Sequence, residues 1–270
     1  MLSPLHIACI QNNAGTDPQK NIAVILKKVD FALKRKAKLI ALPENFYWRG
    51  AAKDMAYLAR RVTPVVISQF RTRAKKYRVA FLLGSVLESA PGKNKFYNTS
   101  ILISGTGKVL ARYRKIHLFD VALKNVKVRE SRHIVSGAKV VTARIHGIKA
   151  GLTICYDLRF PELFRALSKR GAQLIFVPSN FTETTGKAHW EVLLRARAIE
   201  NLAFIAAPAQ SGKNPDSGLK SFGTSLIIDP WGRVLARGSR TGQEVIIADL
   251  DFEEQSRLRR ALPALKHRRL

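Results

Sequence analysis

Short apolar runs alternate with helix-spaced apolar residues along the first part of the chain. Residues 4–11 form an apolar run that predicts a buried strand. Asp17 and Pro18 then supply a helix N-cap and a first-turn proline, and apolar residues recur at helical spacing from Ile22 to Leu33. Residues 38–43 predict a second short strand. This strand–helix–strand order indicates a βαβ unit, so at least part of the sheet should be parallel.

The middle of the chain changes from helical spacing to paired strands. A helical stretch follows Pro64, and strands are predicted at 79–89, 95–104 and 109–117 with turn residues between them. Neighbouring strands joined by short turns are antiparallel, so the sheet should be mixed. The polar, weakly periodic stretch 119–137 is interpreted as one long loop, and loops of that length in compact domains are usually functional.

The second half repeats the strand–helix rhythm. Its predicted elements are the strands 149–155, 173–178, 202–209 and 244–250, the helices 161–169 and 188–201, the hairpin 224–238 and a short basic final helix. No linker rich in Pro, Gly or Ser divides the chain, so we expect one domain over residues 1–270. The strands are too many for one flat sheet. An α/β fold is therefore expected, with two mixed sheets packed face to face and helices outside.

Composition narrows the class of protein. The chain has 270 residues, of which 46% are hydrophobic and 24% charged, as in ordinary globular proteins. No apolar run approaches the ~18 residues that a membrane helix needs, and the first residues do not form a signal peptide. The two cysteines, Cys9 and Cys155, form no C-x-x-C pair, which excludes a Cys-rich zinc site and argues against a disulfide framework. These features suggest a cytoplasmic protein with no membrane contact.

The charge balance is unusual. There are 47 Lys and Arg against 19 Asp and Glu, a formal net charge of +28, and such a field attracts polyanions. The charge is nevertheless spread along the chain, with no low-complexity arm and no basic block interleaved with aromatic residues. We therefore expect nucleic acid to bind at most non-specifically. A protein that binds nucleic acid or another partner, rather than an enzyme, is the alternative that the charge suggests.

Three polar residues fall at predicted strand ends, namely Glu44, Lys115 and Cys155. In α/β folds, side chains from distant segments converge on ligands at the carboxyl ends of strands. A glutamate, a lysine and a cysteine that met there would provide a base, an oxyanion clamp and a nucleophile. Spacing alone does not show that they meet. A buried free cysteine and an exposed lysine or glutamate are each common, and His117 or His189 could instead form a Cys–His pair.

Six segments, in order, resemble those of one enzyme family. LPENF (42–46), YRKIHLFD (113–120) and GLTICYDLRFPEL (151–163) are similar to the three signature segments of the nitrilase superfamily of carbon–nitrogen hydrolases. RES (129–131), the stretch 181–201 and DPWGRVLA (229–236) extend the resemblance over nearly the whole chain. It looks closest to the branch of ω-amidases and deaminated-glutathione amidases.

The resemblance implies an αββα sandwich and a role for each matching residue. Cys155 corresponds to the nucleophile, Glu44 to the general base, Lys115 to the oxyanion stabiliser and Glu130 to a second glutamate that helps position the substrate or the lysine. The N–H of Tyr156 corresponds to the backbone oxyanion donor. The Lys-rich segment 121–128 departs from the family because it lacks the usual Pro-Gly.

The resemblance also implies a substrate. Phe181 and Thr185 match positions that line the substrate site, and Arg159 matches a residue that meets a carboxylate. The expected reaction is hydrolysis of a small ω-amide with a carboxylate at its other end, such as a 2-oxo acid monoamide or a deaminated glutathione. No cofactor or metal is expected, and the chain should form a homodimer or a higher homo-oligomer. A carbamoylase or nitrilase with the same triad is the alternative within the family.

Overall fold

Two six-stranded sheets and a two-stranded ribbon contain the strands of this computed structural model, which describes residues 4–123 and 126–269. In spatial order, the first sheet consists of β14 (Val245–Leu250), β1 (Leu5–Ile10), β2 (Leu39–Ala41), β3 (Ala80–Ser89), β4 (Phe96–Ile103) and β5 (Val109–Arg114). The second consists of β13 (Val234–Arg237), β12 (Leu226–Ile228), β11 (Phe204–Ala207), β10 (Leu174–Phe176), β9 (Ile148–Leu152) and β8 (Val141–Ile145). The ribbon pairs β6 (Asp120–Leu123) with β7 (Val126–Arg129).

Six α-helices occur in the described residues. They are α1 (Pro18–Lys34), α2 (Met55–Tyr57), α3 (Thr63–Tyr77), α4 (Pro161–Lys169), α5 (Glu183–Asn201) and α6 (Phe252–Ala261). The predicted start of α1 is confirmed, because the Asp17 carboxylate accepts hydrogen bonds from the N–H groups of Gln19 and Lys20. No helix in the part of the chain that the structure describes is both long and apolar enough to cross a membrane.

The first sheet is buried on both faces, and β1 shows how the sequence achieves this. Side chains alternate between the two faces of a strand. Ile7 and Cys9 join the core that lies between the two sheets. Ala8 and Ile10 join a second core formed with α1 and α3 on the opposite face. Both faces therefore need apolar residues, which is why residues 7–10 of the strand form an unbroken apolar run. The arrangement is the predicted αββα sandwich.

Strand directions bring three distant segments to one place. Strands β1, β2 and β3 are parallel, and β4 is antiparallel to both β3 and β5. It follows that β2 and β5 run in the same sense, so their carboxyl ends lie at the same edge of the first sheet. In the second sheet, β9, β10 and β11 are parallel to one another. The carboxyl ends of β2, β5 and β9 carry the candidate catalytic residues.

Two sequence-based predictions about secondary structure are wrong. The stretch 119–137 is not one loop, because it contains the ribbon of β6 and β7 and a 3₁₀ turn at Glu130–Arg132. Helix α5 begins at Glu183 rather than at residue 188, because the Thr182 side chain accepts the N–H of Thr185 as an N-cap. The strand β8 was not predicted. It pairs antiparallel with β9 through a tight turn at residues 146 and 147.

Candidate active site

Glu44, Lys115 and Cys155 come together between the two sheets. Glu44 lies three residues beyond β2, Lys115 follows β5 directly, and Cys155 lies three residues beyond β9. All three side chains are withdrawn from solvent, with relative exposures of 3%, 2% and 7% respectively. The structure thus brings together three side chains that sequence spacing alone could not place in contact.

Lys115 bridges two carboxylates. Its Nζ lies 3.0 Å from Glu44 Oε1, 2.8 Å from Glu130 Oε2 and 3.1 Å from Glu130 Oε1. The Asn98 side-chain amide donates to both glutamates, at 2.9 Å to Glu44 and 3.2 Å to Glu130. The N–H of Phe119 donates to Glu130 Oε2 at 2.7 Å. Glu130 therefore reaches Lys115 despite the divergent segment that precedes it.

Cys155 occupies a strained backbone position. Its φ of 50° lies in the left-handed region, which residues with a side chain rarely adopt. The residue opens a 3₁₀ turn over Cys155–Arg159, and its N–H donates to Pro178 O at 3.0 Å. The sharp turn after β9 directs the sulfur toward Glu44, which accepts a hydrogen bond from the thiol.

Asp157 connects the cysteine turn to the lysine segment. Its buried carboxylate accepts from the Ile154 N–H at 2.8 Å and the Tyr113 hydroxyl at 2.7 Å through Oδ2. Through Oδ1 it lies 3.1 Å from the His117 N–H and 2.7 Å from His117 Nδ1. Burial and the adjacent Asp157 charge raise the pKa of Tyr113, so its hydroxyl stays protonated as a donor. Asp157 thereby fixes the two segments that carry Cys155 and Lys115.

Residues that follow strands of the second sheet fix the segment that carries Glu44. The Asn180 N–H, which follows β10, donates to Glu44 Oε2 at 2.8 Å. The Gln210 side-chain amide donates to the carbonyls of Glu44 at 2.9 Å and Asn45 at 3.0 Å. Strand β3 packs closely against the same segment. A Cβ atom added at Gly84 would lie only 2.0 Å from Leu42 O. Only glycine allows this close approach beneath the segment that carries Glu44.

Charge and burial together set the protonation states. Burial would lower the pKa of Lys115, but Glu130, Glu44 and Cys155 raise it, and its pKa lies well above the ordinary value. Burial and the Glu44 charge raise the pKa of Cys155 well above that of a free thiol, although Lys115 and the Asn180 N–H oppose the shift. The resting site therefore contains an ammonium and a thiol that donates to a carboxylate. Such a thiol needs a base when it attacks.

A cavity of about 290 Å³ opens over these residues. Three of the predicted substrate-binding residues, Tyr156, Phe181 and Thr185, line it. Arg159 does not line it. The Arg159 guanidinium lies 5.7 Å from the Tyr156 ring centroid and 5.4 Å from that of Phe181, and its Nη1 is 3.2 Å from His189 Nδ1.

The two histidines considered as partners of Cys155 are engaged elsewhere. His117 contacts Asp157, and its ring stacks on Phe160 with centroids 3.6 Å apart. His189 contacts Arg159. Neither lines the cavity around Cys155. Cys9 is buried between the sheets as core, and burial raises its pKa.

Other residues of the site were missed by sequence reasoning. Asn98 and Asn180 donate to the Glu44 carboxylate, and Gln210 donates to the backbone of the same residue. The loop 211–223 contributes Lys220 and Ser221 to the cavity wall. A polar residue directly after an apolar run was the available signal for Gln210, which follows residues 202–209; Asn180 lacks that signal because Ser179 precedes it. Within residues 4–123 and 126–269, no group of three or more His, Cys, Asp or Glu is placed to hold a metal ion.

Comparison with known sequences identifies the family. The profile described as carbon–nitrogen hydrolase matches residues 6–260, which include Glu44, Lys115, Glu130 and Cys155. The chain belongs to the carbon–nitrogen hydrolase family. The predicted family, the enzyme class and the αββα fold are thereby confirmed.

Relatives of this hydrolase include named amidases. It is similar to a "deaminated glutathione amidase" from Synechocystis sp., with 37% identity over 273 residues that cover 99% of each chain. It is also similar to the human "omega-amidase NIT2", with 31% identity covering 99% of this chain and 96% of the relative. Among solved structures, that of the Caenorhabditis elegans NitFhit protein has a TM-score of 0.93 and 35% identity, covering 100% of this chain and 66% of that one.

Proposed function

We propose that this hydrolase is a cysteine-dependent amidase that acts on a small ω-amide bearing a carboxylate, through a thioester and without a cofactor. The observation that carries the proposal is the buried contact of Glu44 with both the Lys115 ammonium, at 3.0 Å, and the Cys155 thiol. A base, a cation and a nucleophile within contact distance, at the floor of a cavity, suit acyl transfer. The names of the similar amidases support the substrate class.

The first half of the reaction forms the thioester. The Glu44 carboxylate takes the Cys155 proton as the sulfur attacks the amide carbonyl carbon. The resulting oxyanion is stabilised by the Lys115 ammonium and by the N–H of Tyr156. Glu44 then passes its proton to the amide nitrogen, the C–N bond breaks, and ammonia or an amine leaves. Glu130 acts on Lys115 by fixing its position and keeping it charged.

The second half hydrolyses the thioester. Glu44, ionised again, takes a proton from water as the water oxygen attacks the thioester carbon. The C–S bond then breaks, the sulfur regains its proton from Glu44, and a carboxylic acid leaves. One carboxylate thus serves both halves. The contacts from Asn98 and Asn180 keep that carboxylate fixed throughout.

Arg159 is our proposed contact for the acyl-side carboxylate. Its guanidinium packs against the rings of Tyr156 and Phe181, which line the cavity, so it lies beside the substrate space, and the contact requires the side chain to turn into the cavity. An arginine can hold a carboxylate through two parallel hydrogen bonds, whereas a lysine cannot. Arg159→Lys should therefore lower kcat/KM for carboxylate-bearing amides and leave neutral amides nearly unchanged.

A screen of ammonia release tests the proposed function. The substrates are succinamate, the neutral butyramide, a ureido acid and butyronitrile, each with wild type, Cys155→Ala and the matched control Cys9→Ala. Wild type and Cys9→Ala should prefer succinamate, and folded Cys155→Ala should lose activity by several powers of ten. Preference for the ureido acid or the nitrile would favour a carbamoylase or nitrilase. Loss of activity on dialysis against EDTA would contradict the cofactor-free reaction.

We also propose that the enzyme forms a homodimer. Helix α5 exposes Val192 and Ile199, which are 67% and 48% accessible and lie two turns apart on the same face. Trp231, in the turn between β12 and β13, is 55% accessible. Large apolar side chains left in water favour burial against a second copy. Light scattering should give twice the chain mass, and Val192→Lys with Ile199→Lys should shift it to the monomer.

A further inference from the structure

The two long helices outside the first sheet carry cations that lack carboxylate partners. Helices α1 and α3 pack their apolar residues into one core against this sheet, and Asp30 of α1 lies 3.6 Å from Arg73 of α3. Asp30 is the one acidic residue of the two helices. Six exposed cations of these helices and of the residues that end them form no ion pair within residues 4–123 and 126–269. We call this set the basic face, and it consists of Lys27, Lys34, Arg35, Lys75, Lys76 and Arg78.

The helices outside the second sheet are nearly balanced in charge by comparison. Helices α1 and α3 contain eight Lys and Arg against one acidic residue, whereas α4, α5 and α6 contain eight against six. The α5 carboxylates Glu183 and Glu191 also pair with arginines, at 2.8 and 2.7 Å. Charge that is spread along the sequence therefore collects in excess on one side of the fold. That side is opposite to the proposed dimer face on α5.

Two exposed aromatic rings lie among the cations of the basic face. Phe31 and Tyr77 are 45% and 41% accessible. The Arg35 guanidinium lies 5.2 Å from the centroid of the Phe31 ring, and the Lys76 ammonium lies 5.1 Å from that of Tyr77. The sequence shows no basic block interleaved with aromatic residues, because residues 35–62 separate the two helices. The fold creates that combination in space.

The basic face lies toward the end of the fold away from the active site. Helix α1 leads from the carboxyl end of β1 to the amino end of β2, and α3 leads to the amino end of β3. These three strands are parallel, so both helices end at the edge opposite the one that carries Glu44. The contact of α1 with α3 at Asp30 comes one turn before Lys34 and Tyr77, so the last turns of the two helices are neighbours.

Single-stranded nucleic acid has the chemistry that this surface recognises. Its phosphates attract unpaired Lys and Arg, and its unstacked bases stack on exposed aromatic rings. A duplex offers the phosphates but keeps its bases inside. An anionic lipid bilayer fits less well, because Phe31 and Tyr77 enter hydrocarbon only together with the cations that lie over them, and burying those charges is costly.

We propose that the basic face binds single-stranded nucleic acid, with its cations on the phosphates and with Phe31 and Tyr77 stacked on bases. The binding depends on no particular base sequence, because phosphates and the faces of bases carry no sequence code. It takes place apart from the cavity over Cys155, so the protein can hold a strand and a small substrate at the same time.

Fluorescence anisotropy with labelled strands of about 12 nucleotides tests the proposal. The probes are oligouridylate and oligothymidylate, which separate RNA from DNA, and a duplex RNA of the same length. A ring variant carries Phe31→Ala. A basic-face variant combines Lys34→Gln, Arg35→Gln, Lys75→Gln and Lys76→Gln. A control variant makes the same change of charge at exposed cations outside the basic face, with Lys93→Gln, Lys187→Gln, Lys213→Gln and Arg260→Gln.

The expected results separate location from net charge. Wild type should bind at least one single strand about tenfold more tightly than the duplex. The basic-face variant should bind at least about 30-fold more weakly at about 50 mM salt, and its slope of log K against log salt should be smaller by about 2–3, since up to four phosphate contacts are lost. Phe31→Ala should weaken binding about tenfold without changing that slope. The control variant should stay within about threefold of wild type.

Three outcomes overturn the proposal. Wild type that binds neither strand at that salt does so, and so does a control variant that loses as much affinity as the basic-face variant, because binding then follows net charge alone. A duplex bound as tightly as the strands, with no effect of Phe31→Ala, excludes stacking. Vesicles that contain phosphatidylserine are the last probe. Binding to them without binding to the strands would assign the basic face to a lipid surface instead.

Discussion

Replacing Asp157 by asparagine should damage both stability and catalysis. Each carboxylate oxygen faces one backbone N–H, that of Ile154 or that of His117, at 2.8 and 3.1 Å. An asparagine has one oxygen and one NH₂ group. Whichever way the amide is turned, its NH₂ group faces a buried N–H, which then loses its acceptor. Tyr113 and the His117 ring can exchange donor and acceptor roles, but the backbone groups cannot.

The expected loss of stability in Asp157→Asn follows from those contacts. A hydrogen bond to a charged group contributes about 1.5–3 kcal/mol, and a buried donor left unpaired costs about 1–3 kcal/mol. Asp157→Asn should therefore destabilise the protein by about 3–5 kcal/mol, which lowers Tm by about 10 °C for a chain of this size. Because the same side chain fixes the turn of Cys155 and the segment of Lys115, misplacement should lower kcat by about 100-fold.

The matched control is Asp249→Asn. Asp249 forms a similar pair, with His6 Nδ1 2.6 Å from its Oδ1, but its side chain is 64% exposed. Exposed pairs contribute little, so this variant should stay within about 0.5 kcal/mol of wild type. Thermal unfolding gives Tm, and ammonia release well below Tm gives kcat. The reasoning fails if Asp157→Asn unfolds within 2–3 °C (about 1 kcal/mol) of wild type and retains its rate.

Three further substitutions have distinct expected effects. Glu44→Gln should block acylation and deacylation alike, seen as no acyl adduct by intact mass and no ammonia. Lys115→Met should lower kcat by about 10²–10³-fold, and a folded variant within tenfold of wild type would contradict its oxyanion role. When the pH rises from 8 to 10, the free energy of unfolding should fall less for Cys9→Ala than for wild type, as measured by urea unfolding. Burial raises the pKa of the Cys9 thiol in the folded protein above that in the unfolded chain. The contribution of Cys9 to stability is therefore complete below about pH 8.5 and declines above that pH, because the thiol of the unfolded chain ionises there.

The sequence predicted elements where local signals are strong. Asp17 and Pro18 begin α1 as expected, and α4 spans 161–169 as predicted. Glu44, Lys115 and Cys155 stood out in the sequence as polar residues near the ends of predicted strands, and the resemblance assigned a role to each. The resemblance supplied Glu130, which lies in a 3₁₀ turn after the ribbon of β6 and β7 rather than at the end of a predicted strand.

The parts not predicted depend on contacts between distant segments. Asn98 lies inside β4, where its polarity has meaning only beside Glu44 and Glu130. Arg49 resembles a surface arginine in the sequence, and only the fold shows that it is buried without a carboxylate. Local propensity also failed between 119 and 137, because β6 and β7 have only four residues each, too few for their apolar residues to show a period.

The pairing of β1 with β14 makes completion of the first sheet depend on synthesis of nearly the entire chain. Strand β1 lies between β2 and β14, and all six of its residues pair with β14. At typical synthesis rates, about 10–50 s separate the emergence of these two strands from the ribosome. During that interval β1 is an open edge, which favours pairing with other chains. A chain released before Val245 should therefore aggregate, so translation that stops early would yield insoluble fragments rather than a partly active enzyme.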